Sequence, residues 1–138
     1  MEVLSLIKLP AKIESLHELL DKITAAARGF GIGDERVGDI ELACEEALVN
    51  IIKYAYVEHE GELEVICAVN GKSKYVIEIQ DTGIPFNVLE TEDPDLEVSL
   101  MDRKIGGLGI FFVKQLMDEV NYLRDGDKNI LTLTVYKT

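Results

Sequence analysis

The chain has 138 residues, of which 47% are hydrophobic, and its formal net charge is −12. That length fits one domain spanning residues 1–138, and the apolar content excludes a disordered polymer. The negative charge repels nucleic-acid phosphates, so DNA and RNA are not expected partners.

No apolar run approaches the roughly 20 residues of a membrane helix. The first ten residues carry Glu2, only a short apolar run and no cleavage-site pattern, so a cytoplasmic location is expected, with no membrane association. In chain order, residues 2–8 alternate apolar and polar positions, as an edge or half-buried strand does, and Pro10 ends that strand. From Lys12 to Arg28, Ile13, Leu16, Leu19, Leu20 and Ile23 recur at helical spacing. The run Gly29–Gly33 breaks this helix, and Asp34 is the expected N-cap of a second one reaching about Tyr56. Its apolar face is Val37, Ile40, Ala43, Cys44, Ala47, Leu48 and Ile51. Two strand-like runs, 62–69 and 74–80, are joined through Asn70-Gly71 as a hairpin. Residues 81–107 lack periodicity and carry two prolines and many acids, which reads as a long functional loop. A helix over 107–119 and a hairpin of 120–125 with 129–137, turning at Asp125-Gly126-Asp127, complete the order. Without regular β-α-β alternation, this predicts an α+β fold: a two-layer sandwich whose mixed, mostly antiparallel sheet is covered on one face by helices.

Cys44 and Cys67 lie in apolar runs and read as small core residues, not as a disulfide. His17 and His59 are isolated, so no zinc site is expected.

Three short patterns carry chemistry. On the second helix, Glu46, Asn50 and Lys53 are spaced by four and three and share one face. Asn50 falls at the edge of the apolar face, where a carboxamide oxygen is a good hard ligand for Mg²⁺. A carboxylate one turn away can accept a proton. After the third strand comes Asp81-Thr82-Gly83: a carboxylate at a strand end can accept from a buried amine such as that of adenine, and a glycine permits close backbone approach. Gly106, Gly107, Leu108 and Gly109 open a helix, where unpaired N–H groups attract phosphate. Neither a P-loop nor a dinucleotide fingerprint is present.

In this order the patterns resemble the ATP-binding domain shared by type II topoisomerases, Hsp90-type chaperones, histidine kinases and mismatch-repair proteins, the GHKL or Bergerat fold. Within it, ELACEEALVNIIKYAY, DTGIPFN and IGGLGIFFVKQLMDEV look most like the bacterial anti-sigma factor serine-protein kinases. The resemblance implies ATP and Mg²⁺ as cofactors. It implies Glu46 as general base, Asn50 as Mg²⁺ ligand and Lys53 as a polar position near the phosphates. Asp81 would bind the adenine amine and Gly83 lie beside the ring, while Gly107, Leu108 and Gly109 would meet the phosphates and 87–106 form a lid. It further implies a sigma factor and an anti-anti-sigma protein as partners, the latter phosphorylated on serine, and homodimerisation through the first strand and helix. Two positions depart from the pattern. Ile105 stands where relatives often carry an arginine, with Arg103 and Lys104 just upstream, and Lys128-Asn129 replaces a common Gly-Thr pair. Ile105 keeps an alternative open, a non-catalytic module that binds its protein partner according to nucleotide. A third reading is an interaction domain without nucleotide, against which Asn50, Asp81 and Gly83 speak.

Overall fold

The computed structural model describes residues 1–56, 60–90 and 107–137, with 107–109 described by backbone alone. Among the described residues, five strands and three helices follow the order β1 (Glu2–Pro10), α1 (Leu16–Phe30), α2 (Asp34–Tyr54), β2 (Glu62–Asn70), β3 (Lys74–Asp81), α3 (Gly107–Leu116), β4 (Glu119–Asp125) and β5 (Lys128–Tyr136). Single 3₁₀ turns at Ile13–Ser15 and Val88–Glu90 complete it. The sheet order is β1-β2-β3-β5-β4. All four pairings are antiparallel, so the expectation of a mixed sheet resolves to a wholly antiparallel one.

Alternation along the central strands places Leu63, Val65, Cys67 and Val69 of β2, Tyr75, Ile77 and Ile79 of β3, and Leu131, Leu133 and Val135 of β5 in one core. The helices cover this face. The α2 residues expected to be apolar, Val37, Ile40, Ala43, Cys44, Ala47, Leu48 and Ile51, are all buried. Leu19, Leu20, Ile23 and Ala27 of α1 join them, as do Ile110 and Val113 of α3. Tyr75 ties the sheet to α1 through its hydroxyl, which donates to the Ile23 carbonyl at 2.6 Å.

Element ends differ from expectation in instructive ways. Helix α1 begins at Leu16, after a 3₁₀ turn, and closes at Gly31, whose φ of 99° is the left-handed C-cap conformation that glycine adopts cheaply. Asp34 is not the cap of α2: Gly33 occupies that position without a side-chain bond, and Asp34 is the first helical residue. Its carboxylate still favours the positive helix end, and it pairs with Arg28 at 3.7 Å. Helix α2 stops at Tyr54, and α3 at Leu116, earlier than the pattern suggests. The Arg36 guanidinium on α2 donates to the Leu116 carbonyl and lies 3.0 Å from Asp118, which staples the end of α3 to the start of α2. Among the described residues no helix is long and apolar enough to cross a membrane.

Candidate functional site

The site grows from the C-terminal half of α2, a helix that packs beside α3. Asn50 is 5% exposed, and its amide nitrogen donates to the Glu46 carbonyl one turn back at 2.8 Å. That bond leaves the amide oxygen without a hydrogen-bond partner among the described residues. A buried, unsatisfied acceptor costs about 1–3 kcal/mol, which makes this oxygen the candidate atom for a ligand. Glu46 is half-buried. Burial pushes its carboxyl above the ordinary range, the neighbouring Glu45 adds to this, and Lys53 opposes it. Lys53 itself is exposed near the end of the helix.

Asp81 is the last residue of β3 and is 3% exposed. One carboxylate oxygen accepts from the Gly83 amide at 2.9 Å and from the Asn129 side chain at 2.8 Å. The other accepts nothing among the described residues and is the oxygen available to an amine. Burial raises the Asp81 carboxyl above its usual value, against the lowering effect of Asn129, the Gly83 amide and Arg124. Gly83 has a structural reason of its own: a Cβ there would lie 2.2 Å from the carbonyl oxygen of Ala55. The Ile84 amide donates to that same carbonyl at 2.9 Å. The turn after β3 is thus pressed onto the end of α2, which draws the Asp81 and Asn50 segments together.

Sequence reasoning assigned nothing to β5, yet β5 holds the most connected side chain of the site. Asn129 sits directly opposite Asp81 in the β3–β5 pairing. Its amide nitrogen donates to Asp81 and, at 2.7 Å, to the Ile84 carbonyl. Its oxygen accepts from the Phe86 amide at 3.1 Å and from the Tyr122 hydroxyl. All four hydrogen-bonding positions of the carboxamide are filled. Arg124 of β4 adds a bond to the Gly83 carbonyl at 2.9 Å. The only sequence signal for this cluster was that Lys128-Asn129 breaks the Gly-Thr pattern; its meaning depends on a strand register that pattern does not encode. Tyr54, one turn beyond Asn50, was also missed, and its ring lies 5.7 Å from that of Phe86.

Gly107 and Gly109 fall in the first turn of α3, with Leu108 between them, so the helix starts where the sequence places it. Ile105, Arg103, Lys104, Gly106 and most of the expected lid lie outside the described residues. A separate cleft of about 420 Å³ runs past Asp81 and Thr82, but its walls include the outward-facing Lys8, Glu64 and Gln80. It opens on the face opposite the helices, away from Asn50.

A family model described as "Histidine kinase-like ATPase domain" matches residues 9–135. The chain belongs to this family. The histidine kinase-like ATPase domain described here is 25% identical over 128 residues to a serine-protein kinase RsbW of Bacillus mycoides, covering 90% of this chain and 79% of the relative. It is 26% identical over 128 residues to the protein of the same name in Bacillus thuringiensis, with the same coverage. Its fold matches a crystal structure of the RsbU and RsbW domains of a Mycobacterium tuberculosis protein with a TM-score of 0.64 at 16% identity. That match covers 95% of this ATPase domain and 32% of the other chain, and it speaks for the fold alone.

Proposed function

We propose that this ATPase domain is a serine-protein kinase that transfers the γ-phosphoryl of ATP to a serine of an anti-anti-sigma protein. It would act as an anti-sigma factor in a cytoplasmic partner-switching pathway. The observation that carries the reading is the buried amide oxygen of Asn50, without a partner among the described residues and one turn from the half-buried carboxylate of Glu46. The names of the relatives support the serine-kinase class, and the family match supports ATP. A sigma factor as second partner and a homodimer through β1 and α1 belong to the same proposal.

Each residue has a definite task. Asp81 accepts from the adenine amine with its free carboxylate oxygen, and Gly83 lets that turn close on α2. The backbone of Gly107, Leu108 and Gly109 meets the phosphates, with Lys53 nearby. An amide oxygen suits a hard divalent cation, so Asn50 would hold Mg²⁺, which when bound neutralises phosphate charge. Glu46 takes the proton of the serine hydroxyl as its oxygen bonds to the γ-phosphorus. The bond from that phosphorus to the bridging oxygen breaks, and ADP carries away the electron pair.

Glu46→Gln is expected to keep ATP binding by calorimetry and to lower the rate of transfer to the partner by at least about 100-fold. Glu46 serves as base only when ionised, and its carboxyl titrates above the ordinary range. The wild-type rate should therefore fall, as pH drops, earlier than an unperturbed glutamate would allow, and the variant should lack that limb. Equal transfer by wild type and variant removes the base assignment. Ile105 favours a second reading, a nucleotide-dependent binding module without transfer. Absence of turnover with the true partner, together with different partner affinity in ATP and ADP, would select it.

A further inference from the structure

Tyr56 stands two residues past the end of α2, next to Ala55, whose carbonyl receives the Ile84 amide. Its hydroxyl donates to the Glu62 carbonyl at 2.8 Å and accepts from the Thr82 amide at 2.8 Å. The Thr82 hydroxyl lies 3.3 Å from the same oxygen. The tyrosine ring is so close to Gly61 that a Cβ added there would lie 2.0 Å from it. Glycine at 61 therefore makes room for this side chain.

These contacts fall where the sheet ends. The β2–β3 ladder pairs Leu63 with Asp81, and the same register would next set Glu62 opposite Thr82. The pairing stops there. The tyrosine hydroxyl bridges the Glu62 carbonyl and the Thr82 amide in place of a direct ladder bond. The chain thus leaves the sheet just after Asp81 and turns onto the end of α2.

Three successive amides are fixed by this turn. Thr82 donates to Tyr56 at 2.8 Å, Gly83 to the Asp81 carboxylate at 2.9 Å, and Ile84 to the Ala55 carbonyl at 2.9 Å. The middle amide holds one oxygen of Asp81. Its direction is set by the planar peptide units on either side, and Tyr56 pins the first of these.

We propose that Tyr56 is a positioning residue for recognition of the base. It acts through Thr82 and Gly83 on the direction of the other Asp81 oxygen, and it needs no contact with the nucleotide. This role rests on the reading of Asp81 as acceptor of the adenine amine. It makes the junction between α2 and β2 part of the base site, because the hydroxyl that closes this junction on Glu62 also orients the carboxylate.

The test compares ATP with purine riboside triphosphate, which lacks the 6-amino group, by calorimetry on the whole chain with Mg²⁺ present. Wild type should prefer ATP by at least about tenfold, the worth of a hydrogen bond to a carboxylate. Tyr56→Phe keeps the ring beside Gly61 and removes only the hydroxyl. It should bind the analogue as wild type does, while its preference for ATP shrinks to within about threefold. An unchanged preference in the variant overturns the proposal and leaves Asp81 in its role. Equal loss of both triphosphates also overturns it, because a merely structural hydroxyl would act on both alike. A wild type that does not distinguish the two removes the Asp81 reading, and the proposal falls with it.

Discussion

Asn129 shows how much one carboxamide can organise. It spans the strand end at Asp81, the turn at Ile84 and Phe86, and Tyr122 of the neighbouring strand. Asn129→Ala would leave several buried polar groups without partners, each at about 1–3 kcal/mol. Denaturant unfolding should show a loss of roughly 3 kcal/mol, and calorimetry a weaker affinity for ATP. Asp81→Asn should separate stability from binding. Because the folded Asp81 carboxyl titrates above its usual value, its stabilising contribution is full below the unfolded value and lost as pH rises through the folded one. Ionisation of this group therefore opposes folding, whereas an amide oxygen can still accept from Gly83 and Asn129. The variant should melt no lower than wild type yet lose ATP, and retained ATP binding would remove Asp81 from the site. Asp81 was legible in the sequence because a carboxylate at a strand end before glycine is a local pattern. Asn129 was not, because its role is fixed by cross-strand register with a residue far away in the chain.

Among the elements, α2 was the most legible. Its 3.6-residue periodicity named the whole buried face, and the same periodicity placed Asn50 at its margin. Element ends were less so. Gly33 caps α2 by backbone geometry alone, and Arg36 meets the end of α3 through a contact between residues distant in sequence. Two glycines near this helix offer a contrast that checks the account. Gly83 faces the Ala55 carbonyl so closely that Gly83→Ala must displace the turn from α2, and a loss of about 1–3 kcal/mol is expected. Nucleotide affinity should fall with it. Gly38, inside α2, has nothing within 4 Å of an added Cβ, so Gly38→Ala should stabilise by about 0.4–1 kcal/mol. Thermal melts of the two variants should move in opposite directions.

At the scale of the whole molecule, the layer arrangement was legible from the order of strands and helices, and the comparison with a solved fold agrees with it. The placement of β5 between β3 and β4 was not, since two successive hairpins can be laid side by side in more than one order. The core offers a reporter of global opening. Cys44 and Cys67 are both fully buried, and burial holds each thiol above its ordinary range. Native protein should therefore resist iodoacetamide, and both thiols should be alkylated once the fold opens in denaturant. Rapid labelling without denaturant would mean that the core between α2 and β2 opens locally. The pairing of Asp81 with Asn129 also sets a clock on biosynthesis. The two residues are 48 positions apart. At about 5–20 residues per second, the ribosome adds the amide several seconds after the carboxylate it will hold. Until β5 has emerged, the sheet has no third central strand and the Asp81 carboxylate no fixed direction. The emerging chain must pass through this interval with the inner face of β3 open to chaperones or to other nascent chains.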